Sequence, residues 1–242
     1  MSKLNFNLIA KQVINSEIDA LISLKKCFNN SFIKVVEMIS KCQGKIILTG
    51  IGKSGLISRK ISATLSSIGT PSFYLHPGEA AHGDLGQINK KDILLIISYS
   101  GETEELKNII QYSNRFRIPM IGVASKKNSL LLRASDIKII LPEVKEAGIG
   151  SIVPTSSTTM QVAFGDALAI ALMNKKKFSK YDFKQIHPAG NLGKMLTMVE
   201  DLMVTGNRVP LVNENKKIFE ALQIMTKKKL GSLIIFCKNK SF

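Results

Sequence analysis

The chain has 242 residues, 45% of them hydrophobic, with 34 Lys and Arg against 18 Asp and Glu for a net charge of +16. This is enough to bury one sizeable core with appendages, no apolar run approaches the ~18 residues of a membrane helix, and Met1 to Ala20, carrying Lys3, Lys11, Glu17 and Asp19, lacks the apolar centre of a secretory leader. The excess of Lys is scattered, and its clusters, Lys175–Lys177 and Lys227–Lys229, end helical patterns where they complement the helix dipole, so a solvated surface is favoured over nucleic-acid or membrane binding.

Leu4 to Cys27 reads as a helix, with apolar residues at Leu8, Val13, Ile14, Ile18, Leu21 and Ile22, and Ser31 to Cys42 as a second. From Lys45 short apolar strands alternate with helices. The strands are expected at 45–49, 72–76, 92–98, 119–124 and 137–141, and the helices at 54–68, 104–116, 129–134 and 155–174. A run such as Ile93-Leu94-Leu95-Ile96-Ile97 is apolar on both faces, which implies a parallel sheet covered on both sides. The fold class is therefore α/β, a doubly wound five-stranded parallel sheet over about residues 35–180, preceded by a helical segment at 1–34. Residues 181–199 read as a loop around His187-Pro188-Ala189-Gly190. Residues 200–242 read as a strand fragment, a helix at 216–229 and a strand at 232–237 with an unpaired edge. Cys27, Cys42 and Cys237 lack metal-ligand spacing, which points to a reduced, cytoplasmic setting.

Thr49-Gly50-Ile51-Gly52-Lys53-Ser54-Gly55 joins the first strand to a helix start. Such a turn presents free N–H groups and a positive helix end to an anion, usually a phosphate, and Lys53 adds a cation. A triphosphate-binding P-loop would need glycine where Ile47 stands. Gly50, Gly52 and Gly55 match dinucleotide spacing, but the next strand ends in His76-Pro77-Gly78 rather than in an acidic residue. A sugar-phosphate loop, or a plain tight turn, remains. Ser98-Tyr99-Ser100-Gly101-Glu102-Thr103 and Pro154-Thr155-Ser156-Ser157-Thr158 are two further hydroxyl-rich helix starts, able to cradle a phosphate or only to cap. His76, Glu79, His82 and Asp84 share one polar loop and could bind a metal, without the spacing of a structural zinc site. His187, in a Gly/Pro loop, suits proton transfer or a local hydrogen bond. Glu105 and Glu146 taken singly would be surface residues.

Taken together, Gly50 to Gly55, His76 to Gly86, Ser98 to Glu105, Pro154 to Thr159, Gly165 to Ala169 and His187 to Gly193 resemble the D-arabinose 5-phosphate isomerase family of sugar isomerase (SIS) domain proteins. The resemblance implies an aldose–ketose isomerisation between D-ribulose 5-phosphate and D-arabinose 5-phosphate through an enediol. It implies catalytic roles for Lys53 (oxyanion charge), Glu105 or Glu146 (carbon base) and His187 (ring opening or proton transfer). It also implies substrate binding by Gly50, Gly52, Ser54, Gly69, Thr70, His82, Ser98, Ser100, Thr103, Thr155, Ser156 and Ser157. No redox cofactor is implied. His76 matches a position where a non-catalytic or inhibitory zinc can bind. The resemblance further implies a homodimer or homotetramer with sites shared between subunits, and residues 200–242 are similar to the opening of a CBS module. Tyr99 stands where the family usually has Asn, and Gly148-Ile149-Gly150 replaces its usual Cys-Pro-Leu. The alternative function is a non-catalytic sugar-phosphate-binding regulator, which usually adds a helix-turn-helix not found before Lys45.

Overall fold

The computed structural model describes residues 5–187 and 197–237, and the chain divides into two units, residues 1–188 and 189–242. In the first, β1 (Ile46–Thr49), β2 (Ser72–Tyr74), β3 (Ile93–Ile97), β4 (Met120–Ala124) and β5 (Ile137–Ile140) form one sheet in the order β2-β1-β3-β4-β5. Every pairing is parallel. The helices are α1 (Phe6–Leu24), α2 (Asn30–Ser40), α3 (Gly52–Ser67), α4 (Pro77–Ala80), α5 (Lys107–Phe116), α6 (Leu130–Ala134), α7 (Ser156–Lys175) and α8 (Lys180–Ile186).

The alternation of strand side chains divides the core into two layers. Ile93, Leu95 and Ile97 pack with residues of α1, α2, α3 and α7, while Leu94 and Ile96 pack with residues of α5 and α6. All five β3 side chains are essentially buried, each stabilising the fold by roughly 1.5–3 kcal/mol. The doubly wound expectation is met, because a strand apolar on both faces needs a helix layer on each.

Two local expectations need correction. The second strand ends at Tyr74 rather than His76, because His76 is the N-cap of α4, its Nδ1 accepting from Gly78 N at 3.1 Å, with Pro77 as the first helical residue. The segment 181–186, expected as loop, is helix α8. Ser179 Oγ accepts from Asp182 N at 3.2 Å, and Asp182 Oδ2 accepts from Ser179 N at 2.7 Å, a reciprocal cap that the Ser-x-x-Asp spacing encodes. Residues 188–196 of that expected loop lie outside the described residues.

α1 starts at Asn5, whose side chain accepts from Leu8 N at 3.1 Å. It packs on α7 and buries Ala20 and Leu24. Ile14, Ile18 and Ile22, one helical turn apart, stay 55%, 47% and 57% exposed.

The second unit holds α9 (Val199–Leu202), β6 (Leu211–Asn213), α10 (Ile218–Lys228) and β7 (Ile234–Phe236), with β6 and β7 paired in parallel. Among the described residues no third strand flanks β7, whose side chains are exposed. Among the described residues no helix is long and apolar enough to cross a membrane.

Candidate active site

From β1 the chain moves through α3 to β2, then returns across β1 to β3. The carboxyl ends of β1 and β3 therefore border the crevice where parallel sheets of this kind bind ligands. The glycine loop leaves β1 there. α3 begins at Ile51 with no side-chain cap, and its first ladder bond is Gly55 N to Ile51 O at 3.2 Å. The amides of Gly52, Lys53 and Ser54 precede that bond and form the positive helix end. Gly52 has φ +56°, a left-handed conformation that favours glycine. A Cβ on Gly55 would lie 2.7 Å from both the Gly50 carbonyl oxygen and the Tyr74 hydroxyl. Tyr74 donates to that carbonyl at 2.8 Å and so pins the loop from β2. The Arg59 guanidinium lies over the Tyr74 ring, 4.8 Å from its centre. Burial lifts the Tyr74 phenol above its ordinary value despite the Arg59 charge, which keeps it a donor. Lys53 is exposed beside this loop.

The second loop follows β3. Ser98 is buried, with Oγ 2.8 Å from Thr103 Oγ1 and accepting from Gly101 N at 3.1 Å. Ser100 Oγ accepts from Glu102 N at 3.2 Å. These hydroxyls brace their own turn, and neither caps the helical segment that follows, whose N-cap Thr103 makes no side-chain capping bond. Glu105 lies just beyond it, exposed, in a single turn of 3-10 helix (Glu104–Leu106).

The third helix start is already filled by a carboxylate of this chain. Glu146 Oε2 accepts from Thr155 N at 2.7 Å, Thr155 Oγ1 at 3.2 Å and Ser157 N at 3.1 Å. Thr155 Oγ1 accepts in turn from Ala147 N at 2.8 Å. Burial pushes the Glu146 carboxyl up, but the donors of Ser157 and Thr155 outweigh it and hold the acid below its usual value. Thr155 and Ser157 therefore bind Glu146 directly. The hydroxyl of fully buried Ser156 has no hydrogen-bond partner among the described residues.

The two loop histidines separate in role. The Nδ1 of His76 is used in capping α4, while His82 is exposed in the following turn. Among the described residues no group of three His, Cys, Asp or Glu could hold a metal ion, so the residues around His76 do not fit a zinc site on their own.

Gly69, Thr70 and His187 stand apart from the rest. Gly69 and Thr70 lie between α3 and β2, at the amino edge of the sheet. There Thr70 is buried and its Oγ1 accepts from Lys176 Nζ at 2.9 Å. A Cβ on Gly69 would meet the Phe178 ring at 2.8 Å and Ile186 at 3.9 Å, which places the end of α8 at the same corner. His187 ends α8, its ring stacked on Phe183 at 3.9 Å and its Nδ1 3.0 Å from the Phe183 carbonyl. A carbonyl only accepts, so Nδ1 is the donor in this contact. The 20 residues of α7, about 30 Å of helix, separate this corner from Glu146. Within one chain these three residues do not join Lys53 and Glu146. Nearness to a motif in sequence does not tell which end of a strand a residue occupies, and the expectation of sites shared between subunits does not require these residues to meet within one chain.

Two residues with evident work at the site were not singled out by sequence as site residues. Tyr74 and Tyr99 each sit just at or after a strand end with the hydroxyl bonded to a neighbouring loop. The available signal was a half-polar aromatic where a purely apolar residue would complete the strand.

A doubly wound parallel sheet with an uncapped glycine-rich helix start at its switch point, a lysine beside it and a fixed carboxylate on a neighbouring loop defines an anion-binding α/β domain. Residues 38–171 match the SIS domain family, and the chain belongs to it. It is 43% identical over 238 residues to an uncharacterized protein of Rickettsia prowazekii, covering 98% of this chain and 74% of that protein. It is 40% identical over 232 residues to arabinose 5-phosphate isomerase KdsD of Escherichia coli K12, covering 96% of this chain and 71% of that enzyme. Among solved structures, a protein of E. coli CFT073 in complex with arabinose 5-phosphate superposes with a TM-score of 0.74 at 34% identity, covering 78% of this chain and all of that one.

Proposed function

We propose that the protein is an aldose–ketose isomerase that interconverts D-ribulose 5-phosphate and D-arabinose 5-phosphate through an enediol. The observation that carries this reading is the 40% identity to an arabinose 5-phosphate isomerase over nearly the whole chain. The geometry agrees with it. The phosphate is assigned to the amides of Gly52, Lys53 and Ser54, and the Lys53 ammonium offsets charge developing on the enediolate oxygens. Glu146 is assigned the carbon-bound proton. Its donors cost it basicity, but they hold it ionised and in one place, and a base must first be within reach of its proton. Glu105, solvated and without such a clasp, is the alternative base. The reaction moves hydrogens within one molecule, so its balance calls for no redox cofactor.

The same reading takes the protein to be a homo-oligomer, a dimer or tetramer. His187 can reach Lys53 and Glu146 only from a second copy. The exposed Ile14–Ile18–Ile22 stripe supports this, as does a cavity of about 460 Å³ whose lining includes Leu21 of the same helix, with Lys53, Leu56, Ile57, Val162 and Asp166. Residues 200–242 are assigned to the opening of a CBS module, and three free cysteines fit a cytoplasmic setting. The test is to incubate purified protein with D-ribulose 5-phosphate and assay D-arabinose 5-phosphate. Steady turnover is expected. Tight sugar-phosphate binding without turnover would overturn the enzyme reading in favour of a regulator.

A further inference from the structure

We propose that Tyr99 is a positioning residue for Glu146, acting through the backbone of Val144; the catalytic half of this rests on the isomerase reading above. Tyr99 follows β3, and its own carbonyl accepts from Ser125 N and Ser125 Oγ, both at 2.8 Å. Its backbone is thereby tied to the end of the neighbouring strand β4. Its phenol crosses to the chain leaving β5. There it accepts from Val144 N at 2.8 Å and faces the carbonyls of Pro142 at 3.3 Å and Val144 at 3.5 Å. Val144 is two residues before Glu146.

On the far side of Glu146 the chain turns through three residues in the left-handed region. Gly148, Gly150 and Ser151 all have positive φ, at 95°, 72° and 50°, and Ile149 is fully exposed. Two hydrogen-bonded holds act on Glu146 and on the chain just before it. One is the clasp to Thr155 and Ser157, the other the phenol of Tyr99. Among the described residues, the Tyr99 phenol and the packing of Val144 on the core carry the order of the sheet toward the carboxylate. Burial, together with the carboxylates of Glu146 and Glu143, keeps the phenol protonated despite the opposing Val144 bond, so it can donate and accept at once. Phenylalanine would fill the same space and do neither.

The test compares wild type, Tyr99→Phe, Glu146→Gln and the double variant. In Tyr99→Phe, kcat for D-ribulose 5-phosphate should fall about tenfold with KM changed less than about twofold, the signature of a misplaced proton acceptor rather than lost substrate binding. In the Glu146→Gln background the same change should have no further effect on kcat. An arm independent of activity uses hydrogen exchange. The amides of Val144, Thr155 and Ser157 should lose about tenfold protection in Tyr99→Phe, while those of β3 and β4 keep theirs. Equal loss of kcat in both backgrounds, or unchanged exchange at Thr155 and Ser157, would overturn the proposal. If wild type fails to turn over while exchange at the clasp responds as stated, it is the isomerase reading that fails and the positioning of Glu146 by Tyr99 that stands.

Discussion

Replacing Gly55 by alanine tests whether the glycine loop is a close-packed cradle or only a turn. Gly55 sits in the first turn of α3, where alanine would by itself favour the helix by about 1 kcal/mol. Against this, its Cβ would stand 2.7 Å from the Gly50 carbonyl oxygen and 2.7 Å from the Tyr74 hydroxyl. One of these is backbone, so the helix start or the loop must move. Forcing a methyl into a packed site costs about 1–3 kcal/mol, and parting Tyr74 from Gly50 costs about 1 kcal/mol more. The net is a destabilisation of about 1–3 kcal/mol, or a fall of roughly 5 °C in Tm for a unit of this size. Because the shift moves the amides of Gly52 to Ser54, KM should rise together with the loss of stability. Thermal unfolding and steady-state kinetics on the same preparation decide it. A Tm that is unchanged or higher, with KM unchanged, would show that helix propensity dominates and that the loop tolerates the methyl.

Lys53→Ala and Glu146→Gln should each lower kcat by at least ~100-fold with the circular dichroism of the fold retained, and near-normal activity in either would remove that residue from its role. Lys53→Ala and His187→Ala, each nearly inactive alone, should regain up to about a quarter of wild-type activity when mixed, dissociated and reassembled, since half the dimers then carry one intact shared site; no recovery would mean that each chain holds a complete site. Deleting residues from Asp201 onward should leave turnover largely intact and raise soluble yield, because β7 exposes its apolar residues and an edge; lost activity in an unchanged oligomer would show that the second unit contributes to the site.

Local patterns in the chain were enough for the layering of the core and for one half of the site. A strand apolar on both faces can only lie inside a helix sandwich, and a Gly-x-Gly-x-x-Gly turn between strand and helix must present amides at the carboxyl edge. These are short-range consequences of side-chain polarity and backbone freedom, so a linear reading captures them. The Ser179–Asp182 cap is equally local, but the His187-Pro188 pair just beyond it pulls a linear reading of the segment toward a loop. What tertiary structure alone decided was partnership. The hydroxyls around Ser156 could serve a substrate or a side chain of the protein, and only folding brings Glu146 onto Thr155 and Ser157. Tyr99 and Val144 meet across a separation of 45 residues. Gly69 and His187, named as site residues by the resemblance, lie at the other edge of the sheet from the glycine loop, because each parallel strand must be re-entered from the end where the last one began. Sequence order says nothing of that distance, and α7 supplies about 30 Å of it.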